Sequence, residues 1–485
     1  MGNLASKRIL SIIGMSVFWM SLRYQAVFGV LFPADRAIGQ VDFVASPFLV
    51  FILFVLLASL FVVVCPQRTA RWLQGRVVLP IVVASSVGSA VGIGAQSGMF
   101  PIWACYASSV VIALGFVVCV LVWARYCSET FGFTTVLDLA ASYAVSLIVF
   151  TFIGTFAPSL KELIAIAAPT ATGIFWYFLN DPQTYKRDVQ KFEVKHIEPY
   201  LALFVGFMLS GSVVRGVVDS INVGAPSMYL RWGLSVAIAL AILFGCWYRF
   251  GKRESESGSA LSQDVAIEVE NLSLKFWMGL AILFFAGVLS CLLLGSYSTG
   301  GQLVVVVRST LDFLLWVLLC TIARNKNIQP QPLFAACFLV CEALSWFISY
   351  EIVPRILTVK FNHFSSAAEM LLLILVFSLI ALIIVVSGLA IMRVKSKVQG
   401  LRSSNNVEDF DIDERLHALD EYLLTNRELE MVSFLSQGYT LSKVAAKMYI
   451  SKSTAQTHAK SIYRKIGVHS KDDLIDVLVE KGIVR

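Results

Sequence analysis

Five side chains, Ser453, Gln456, Thr457, Lys460 and Arg464, fall on one stripe at helical spacing. Their shared chemistry is hydrogen bonding and positive charge. The opposite stripe is Ala455, Ala459, Ile462 and Ile466, an apolar face with small residues where another helix must come close. From Tyr439 to Lys471 the chain carries Lys443, Lys447, Lys452, Lys460, Arg464, Lys465 and Lys471 and no Asp or Glu. Such a surface neutralises phosphates if a short helix, a tight turn and a second helix lay it on a nucleic acid. It also suits a solvated basic face on an unrelated three-helix bundle.

Other chemistry finds no constellation. His196, His363, His417, His458 and His469 are scattered, and the sequence has neither a phosphate-cradling glycine loop nor a nucleophile motif. The nine cysteines, Cys65, Cys105, Cys119, Cys127, Cys246, Cys291, Cys320, Cys337 and Cys341, lie in or beside apolar runs without CxxC or Cys/His spacing. They read as small buried hydrophobes. The expectation is no catalytic residue, no metal and no cofactor.

The basic helix needs a frame, and the flanking sequence supplies one. Thr425 and Glu428 have capping-box spacing, so a helix starts there. Leu429, Val432, Phe434 and Leu435 give it an apolar stripe, and Gly438 stands where it stops. A second helix begins near Thr440 with Leu441, Val444, Ala445 and Met448 inward, and Ser451 is the N-cap candidate of the third.

Thr425-x-Arg427-Glu428, Gly438, Val444-Ala445, Ile450-Ser451, Thr454, His458, Ile462, Lys465-Ile466-Gly467-Val468 and Ser470-Lys471 together resemble the LuxR-type (GerE/NarL-like) four-helix DNA-binding domain of bacterial transcription regulators. The resemblance covers 422–485. It implies a helix-turn-helix that dimerises on a two-fold DNA site, often through its last helix. Gln456, Thr457 and Lys460 occupy the family's base-reading positions, and Thr440, Lys452, Thr454, Arg464 and Lys465 fall to phosphates. Ala455, Gln456 and Ile466 stand where the family usually has Val, Lys and Leu, which bears on base preference and leaves the fold intact. In the last helix Leu474 and Leu478 turn to the core, leaving Ile475 and Val479 as a dimer face.

The rest of the chain is of another kind. It has 485 residues, 57% hydrophobic and 15% charged, with a mean hydropathy of +0.76. A soluble domain carries about a quarter charged residues, so this is chiefly a membrane protein. Twelve runs reach the length needed to cross about 30 Å of hydrocarbon: 9–32, 43–65, 77–95, 101–123, 134–156, 159–180, 199–221, 228–249, 274–296, 301–323, 332–353 and 366–392. Alternate connections hold Lys7, Arg8, Arg68, Arg71, Arg76, Arg125, Lys186, Arg187, Lys191, Lys195, Arg249, Lys252, Arg253, Lys275, Arg324, Lys326, Arg393, Lys395 and Lys397. The others hold only Arg36, Lys161, Arg231, Arg355 and Lys360. By the placement of positive charge both termini are cytoplasmic in a multi-pass inner-membrane protein.

Twelve spans with a basic segment at 181–198 resemble the six-plus-six plan of major facilitator transporters in architecture. The connection 65–76 lacks the Gly/Asp/Arg signature of that superfamily, and the longest inner loop, 250–273, is displaced from the midpoint. Ionisable residues inside spans mark packing pairs or a polar pocket. Arg23, Arg215 with Asp219, and Arg308 with Asp312 are the pocket candidates, both pairs at i, i+4, with Asp138 and Glu342 as further buried charges.

The chain therefore reads as all-α. A polytopic membrane domain at 1–393 is followed by an acidic cytoplasmic linker at 394–421, which either only solubilises or competes with DNA, and by the DNA-binding domain at 422–485. The expected function is a membrane-integrated one-component transcription regulator. Its partners are double-stranded DNA, the lipid bilayer, an unidentified small-molecule or membrane signal, and a second copy on DNA. A secondary transporter with an appended DNA-binding regulatory domain is the alternative.

Overall fold

A computed structural model describes residues 2–21, 29–32, 46–73, 75–156, 160–180, 199–220, 225–250, 262–294, 297–355, 419, 422, 424–436, 440–441, 444–445, 448 and 450–481. Among these the chain is helical almost throughout and contains no β-strand, in line with the all-α expectation. It divides into two compact units, Met1–Ser387 and Gly388–Arg485.

The first unit is a bundle of long apolar helices: α1 (Gly2–Ser21), α2 (Pro47–Val64), α3 (Gly75–Gln96), α4 (Trp103–Glu129), α5 (Phe133–Phe156), α6 (Leu160–Leu179), α7 (Pro199–Ser220), α8 (Ala225–Phe250), α9 (Ser262–Leu294), α10 (Gln302–Asn325) and α11 (Pro330–Arg355). Eight helices among the described residues are long and apolar enough to cross a membrane, and the apolar stretches Phe204–Val218 and Lys275–Cys291 are shorter. The run expected at 366–392, Arg23, and the basic segment 181–198 lie outside the described residues.

Two boundaries differ from the sequence reading. The first helix was expected to start at Ile9, yet α1 starts at Gly2. Helix α9 begins at Ser262, so the latter half of the loop expected at 250–273 is helical. Its polar opening turns are still amphipathic: Val269 is buried and Leu272 packs on the bundle core.

The packing of the first helices recurs six helices later. Helix α1 packs on α5, α2 on α4 and α3 on α4; correspondingly α7 packs on α11, α8 on α10 and α9 on α10. Contacts between α5 and α8 and between α2 and α11 join the two sets. The approach of α7 to α11 depends on a glycine, since a Cβ on Gly216 would lie 2.8 Å from Val353 Cβ and 2.9 Å from the Ser349 carbonyl oxygen. Helix α11 is also irregular, widening into π turns at Ala335–Leu339 and Phe347–Ile352 on either side of Val340–Trp346. Such turns are rare and often accompany functional sites.

The second unit contains α12 (Asn426–Ser436), α13 (Lys452–Ile466) and α14 (Lys471–Glu480). A short turn between α12 and α13 is marked by the Val444 N–H bonding the Thr440 carbonyl at 2.9 Å. The unit has its own core, in which Met431, Val432, Leu435, Val444, Ala455, Ile462, Leu474 and Leu478 are fully buried. Leu419 is buried with them. Packing thus begins upstream of 422, inside the segment expected to be a hydrated linker, because a leucine there has an apolar surface to cover. Most of 394–421 is outside the described residues.

Candidate nucleic-acid interface and a cleft in the bundle

Helix α13 is set by its ends. Ser451 is extended and its hydroxyl accepts from the Thr454 N–H at 3.1 Å, while Gly467 closes the helix in the left-handed region at φ 83°, which favours a residue without Cβ. Arg464 and Lys465 occupy the last turn, where cations complement the helix dipole. Between these ends Ala455, Ala459, Ile462 and Ile466 are buried, and Ser453, Gln456, Thr457, Lys460 and Arg464 are exposed. One helix therefore presents an acid-free polar stripe from a fixed apolar base.

The remaining site candidates divide. Thr454 is exposed but its hydroxyl lies 2.7 Å from that of Ser451, inside the N-cap. The Thr457 hydroxyl donates to the Ser453 carbonyl at 3.1 Å. Thr440 is exposed at the start of the second helical turn, and the side chain of Lys452 lies outside those described.

Lys465 departs from its expected place on phosphate. Its ammonium lies 2.7 Å from the Glu428 carboxylate, with its side chain only 28% exposed. The same carboxylate oxygen accepts from the Thr425 N–H at 2.8 Å, and the Glu428 N–H donates to the Thr425 hydroxyl at 3.3 Å, so the expected capping box is formed. Glu428 thus joins the start of α12 to the end of α13. Burial pushes the Glu428 carboxyl up, but its bonds from Lys465, Ser461 and Thr425 outweigh that and hold it at about 2. The depressed group contributes stability above the ordinary carboxylate range and loses it as pH falls toward 2. Glu428→Gln is expected to destabilise this unit by about 1.5–3 kcal/mol at neutral pH. Thermal melts from pH 7 down to pH 2 should show the gap to the unsubstituted protein closing below about pH 4.5; a gap independent of pH would exclude the carboxylate as its source.

Helix α14 begins with a second capping box. Asp473 N–H donates to the Ser470 hydroxyl at 3.1 Å, and the Asp473 carboxylate accepts from the Ser470 N–H at 2.9 Å. The signal, Ser470-x-x-Asp473, is in the sequence and sequence reasoning passed over it. Leu474 and Leu478 are buried as expected, Ile475 is half-buried, and Val479 is 48% exposed.

In the bundle, the Arg308 side chain is completely buried. Its guanidinium donates to Asp312 one turn along α10, to Glu342 on α11 at 3.3 Å and to the Ser212 hydroxyl on α7 at 3.3 Å. Asp312 and Glu342 also line a partly open cleft, together with Arg215 and Arg231. Of the five pocket candidates, Arg215 and Asp312 line the cleft and Arg308 backs it, while Arg23 and the side chain of Asp219 lie outside those described. The guanidinium of Arg215 lies 5.2 Å from the centre of the Tyr350 ring. Arg231, counted from sequence as a loop charge, sits inside α8, is 9% exposed and donates to Gln302. Asp138 is elsewhere, paired with Arg8 at 3.0 Å. The nine cysteines are free thiols, eight of them buried, and no cluster of metal-ligating residues occurs among the described residues.

A capped helix, a turn and a second helix with a polar outer stripe define a helix-turn-helix DNA-binding domain. Residues 422–478 match the family described as bacterial regulatory proteins, luxR family (GerE), and are a domain of that family. The oxygen regulatory protein NreC of Staphylococcus aureus, in strains JH9, JH1 and Mu3 / ATCC 700698, is 31% identical over 62 residues. That match covers 13% of this chain and 29% of NreC, so the chain spans less than a third of the length of this relative.

Proposed function

We propose that this protein is a membrane-integrated one-component transcription regulator. Its bundle senses a signal, and its luxR-family domain reads DNA as a homodimer. The observation that carries the reading is the union, in one chain, of helices long and apolar enough to cross a membrane with a recognition helix whose outer stripe is polar, basic and free of acid. Gln456, Thr457 and Lys460 read base edges, and Arg464, Thr440, Thr454 and Lys452 meet phosphates. Lys465, being held by Glu428, fixes the angle of the recognition helix. Ile475 and Val479 form the dimer face. The placement of positive charge supports cytoplasmic termini.

Mapping of chromosomal binding sites with the full-length protein tests this. Gln456→Ala is expected to relax base choice at one position of each half-site by about 1–3 kcal/mol. Arg464→Ala should weaken all sequences alike and lower the salt slope by about 1. Unchanged sequence preference in Gln456→Ala, or altered preference in Arg464→Ala, would contradict the assignment. The recurrence of packing six helices apart also suits a secondary transporter carrying a regulatory domain; net uptake of a bound compound into vesicles would favour that reading.

A further inference from the structure

We propose that Leu419, Tyr422 and Lys481 form a brace that positions α14, so that the chain arriving from the bundle acts on the pairing of two readers and not on the reading of bases. This rests on α14 being the pairing helix, as read above, and adds to it the residues that hold that helix in place.

Burial sets the anchor. Leu419 is fully buried in the core of the second unit, and Tyr422 and Leu424 pack half-buried against the same core. A leucine in an acidic, polar stretch is drawn to that depth because its apolar surface gains by leaving water. The chain is fixed again where the Thr425 N–H bonds Glu428 at the head of α12. From the far end of the unit's sequence, Lys481 closes α14, its N–H donating to the Val477 carbonyl at 3.0 Å. The Lys481 ammonium lies over the Tyr422 ring, 5.1 Å from its centre, where a cation and a π face attract. Leu419 and Lys481 both fall outside the residues 422–478 that match the family, so the brace is additional to the matched domain.

The place of the brace gives its effect. Val479 is 48% exposed in the last turn of α14. Leu478 beside it is buried, and Lys481 two residues on is held to Tyr422. The outward angle of Val479 is therefore fixed from the core by Leu478 and from the helix end by the entering chain. Helix α13 has its own fixings, the buried Ala455, Ala459, Ile462 and Ile466 face and the Lys465–Glu428 pair. Two copies on a two-fold site help each other only where both pairing faces point correctly, whereas one copy on a half-site needs α13 alone. A pull or turn of the tether meets Leu419 and Tyr422 first and so reaches α14.

The test uses the full-length protein in lipid nanodiscs and two fluorescein-labelled duplexes. One is a two-fold site recovered by the chromosomal mapping above, and the other is the same duplex with one half scrambled. The readout is the ratio of the two affinities, which a mere loss of folded protein leaves unchanged because it lowers both alike. Lys481→Met and Tyr422→Leu should each cut that ratio about fivefold or more, since both copies lose the contact. Leu419→Ala should cut it further. Lys481→Arg and Tyr422→Phe, which keep the cation and the ring, should hold it within about twofold. Recovery of unpaired half-sites only, an unchanged ratio in Lys481→Met and Tyr422→Leu, both duplexes weakened alike, or equal losses in Tyr422→Phe and Tyr422→Leu would overturn the proposal. Val479→Asp measured alongside separates the two ideas. A ratio lost in Val479→Asp but kept in Lys481→Met and Tyr422→Leu would leave α14 as the pairing helix and sink the brace. The reverse pattern would sink α14 as the pairing surface and leave the brace as a support of two-fold binding.

Discussion

Arg308→Met is expected to cost the bundle about 3–5 kcal/mol, the largest effect of any single substitution considered, because it leaves Asp312 and Glu342 facing one another with their shared cation gone. The methionine fits the space of the guanidinium stem but cannot satisfy either carboxylate or the Ser212 hydroxyl. The loss should therefore come from stranded charge and not from a void. Replacing the triad together, as Arg308→Met with Asp312→Leu and Glu342→Met, should recover most of the stability, since no buried charge then remains. Unfolding of the full-length protein by denaturant in detergent micelles reads both. A single variant within 1 kcal/mol of the parent, or a triple variant no better than the single, would show that the triad does not act as a charge unit.

The second large effect concerns pairing on DNA. Val479→Asp places a charge on the exposed side of α14, where the parent shows an apolar side chain 48% exposed while Leu474 and Leu478 hold the helix to its core from the other side. Stability should change little, because the substitution removes no buried contact. Affinity for a two-fold site should fall by about 10²–10⁴, the advantage lost when two linked readers act singly. Footprints should shrink to half-sites and promoter control should disappear. A full two-fold footprint from this variant would mean that α14 is not the pairing surface.

Local features of the reader were legible from sequence, and the reason is range. The Thr425–Glu428 box, the Ser451 cap and the Ala455/Ala459/Ile462/Ile466 face all depend on residues within one or two helical turns. The role of Lys465 was not legible, because its partner is 37 positions away and the basic stripe alone offers no reason to single it out. Arg231 falls inside the run read at 228–249, but its bond to Gln302 was not legible, because that partner is 71 positions away on another helix. The i, i+4 spacing of Arg308 and Asp312 was read correctly, whereas the third member, Glu342, arrives from another helix. Leu419 was lost in an acidic surrounding that masks a single buried residue.

The two units keep separate hydrophobic cores, and no residue buried in one is counted in the other. Among the described residues, a gene joint placed just upstream of Leu419 leaves each of the two buried clusters whole. The reader, bound by caps, small residues and a fixed stripe, keeps its lineage visible in 62 residues.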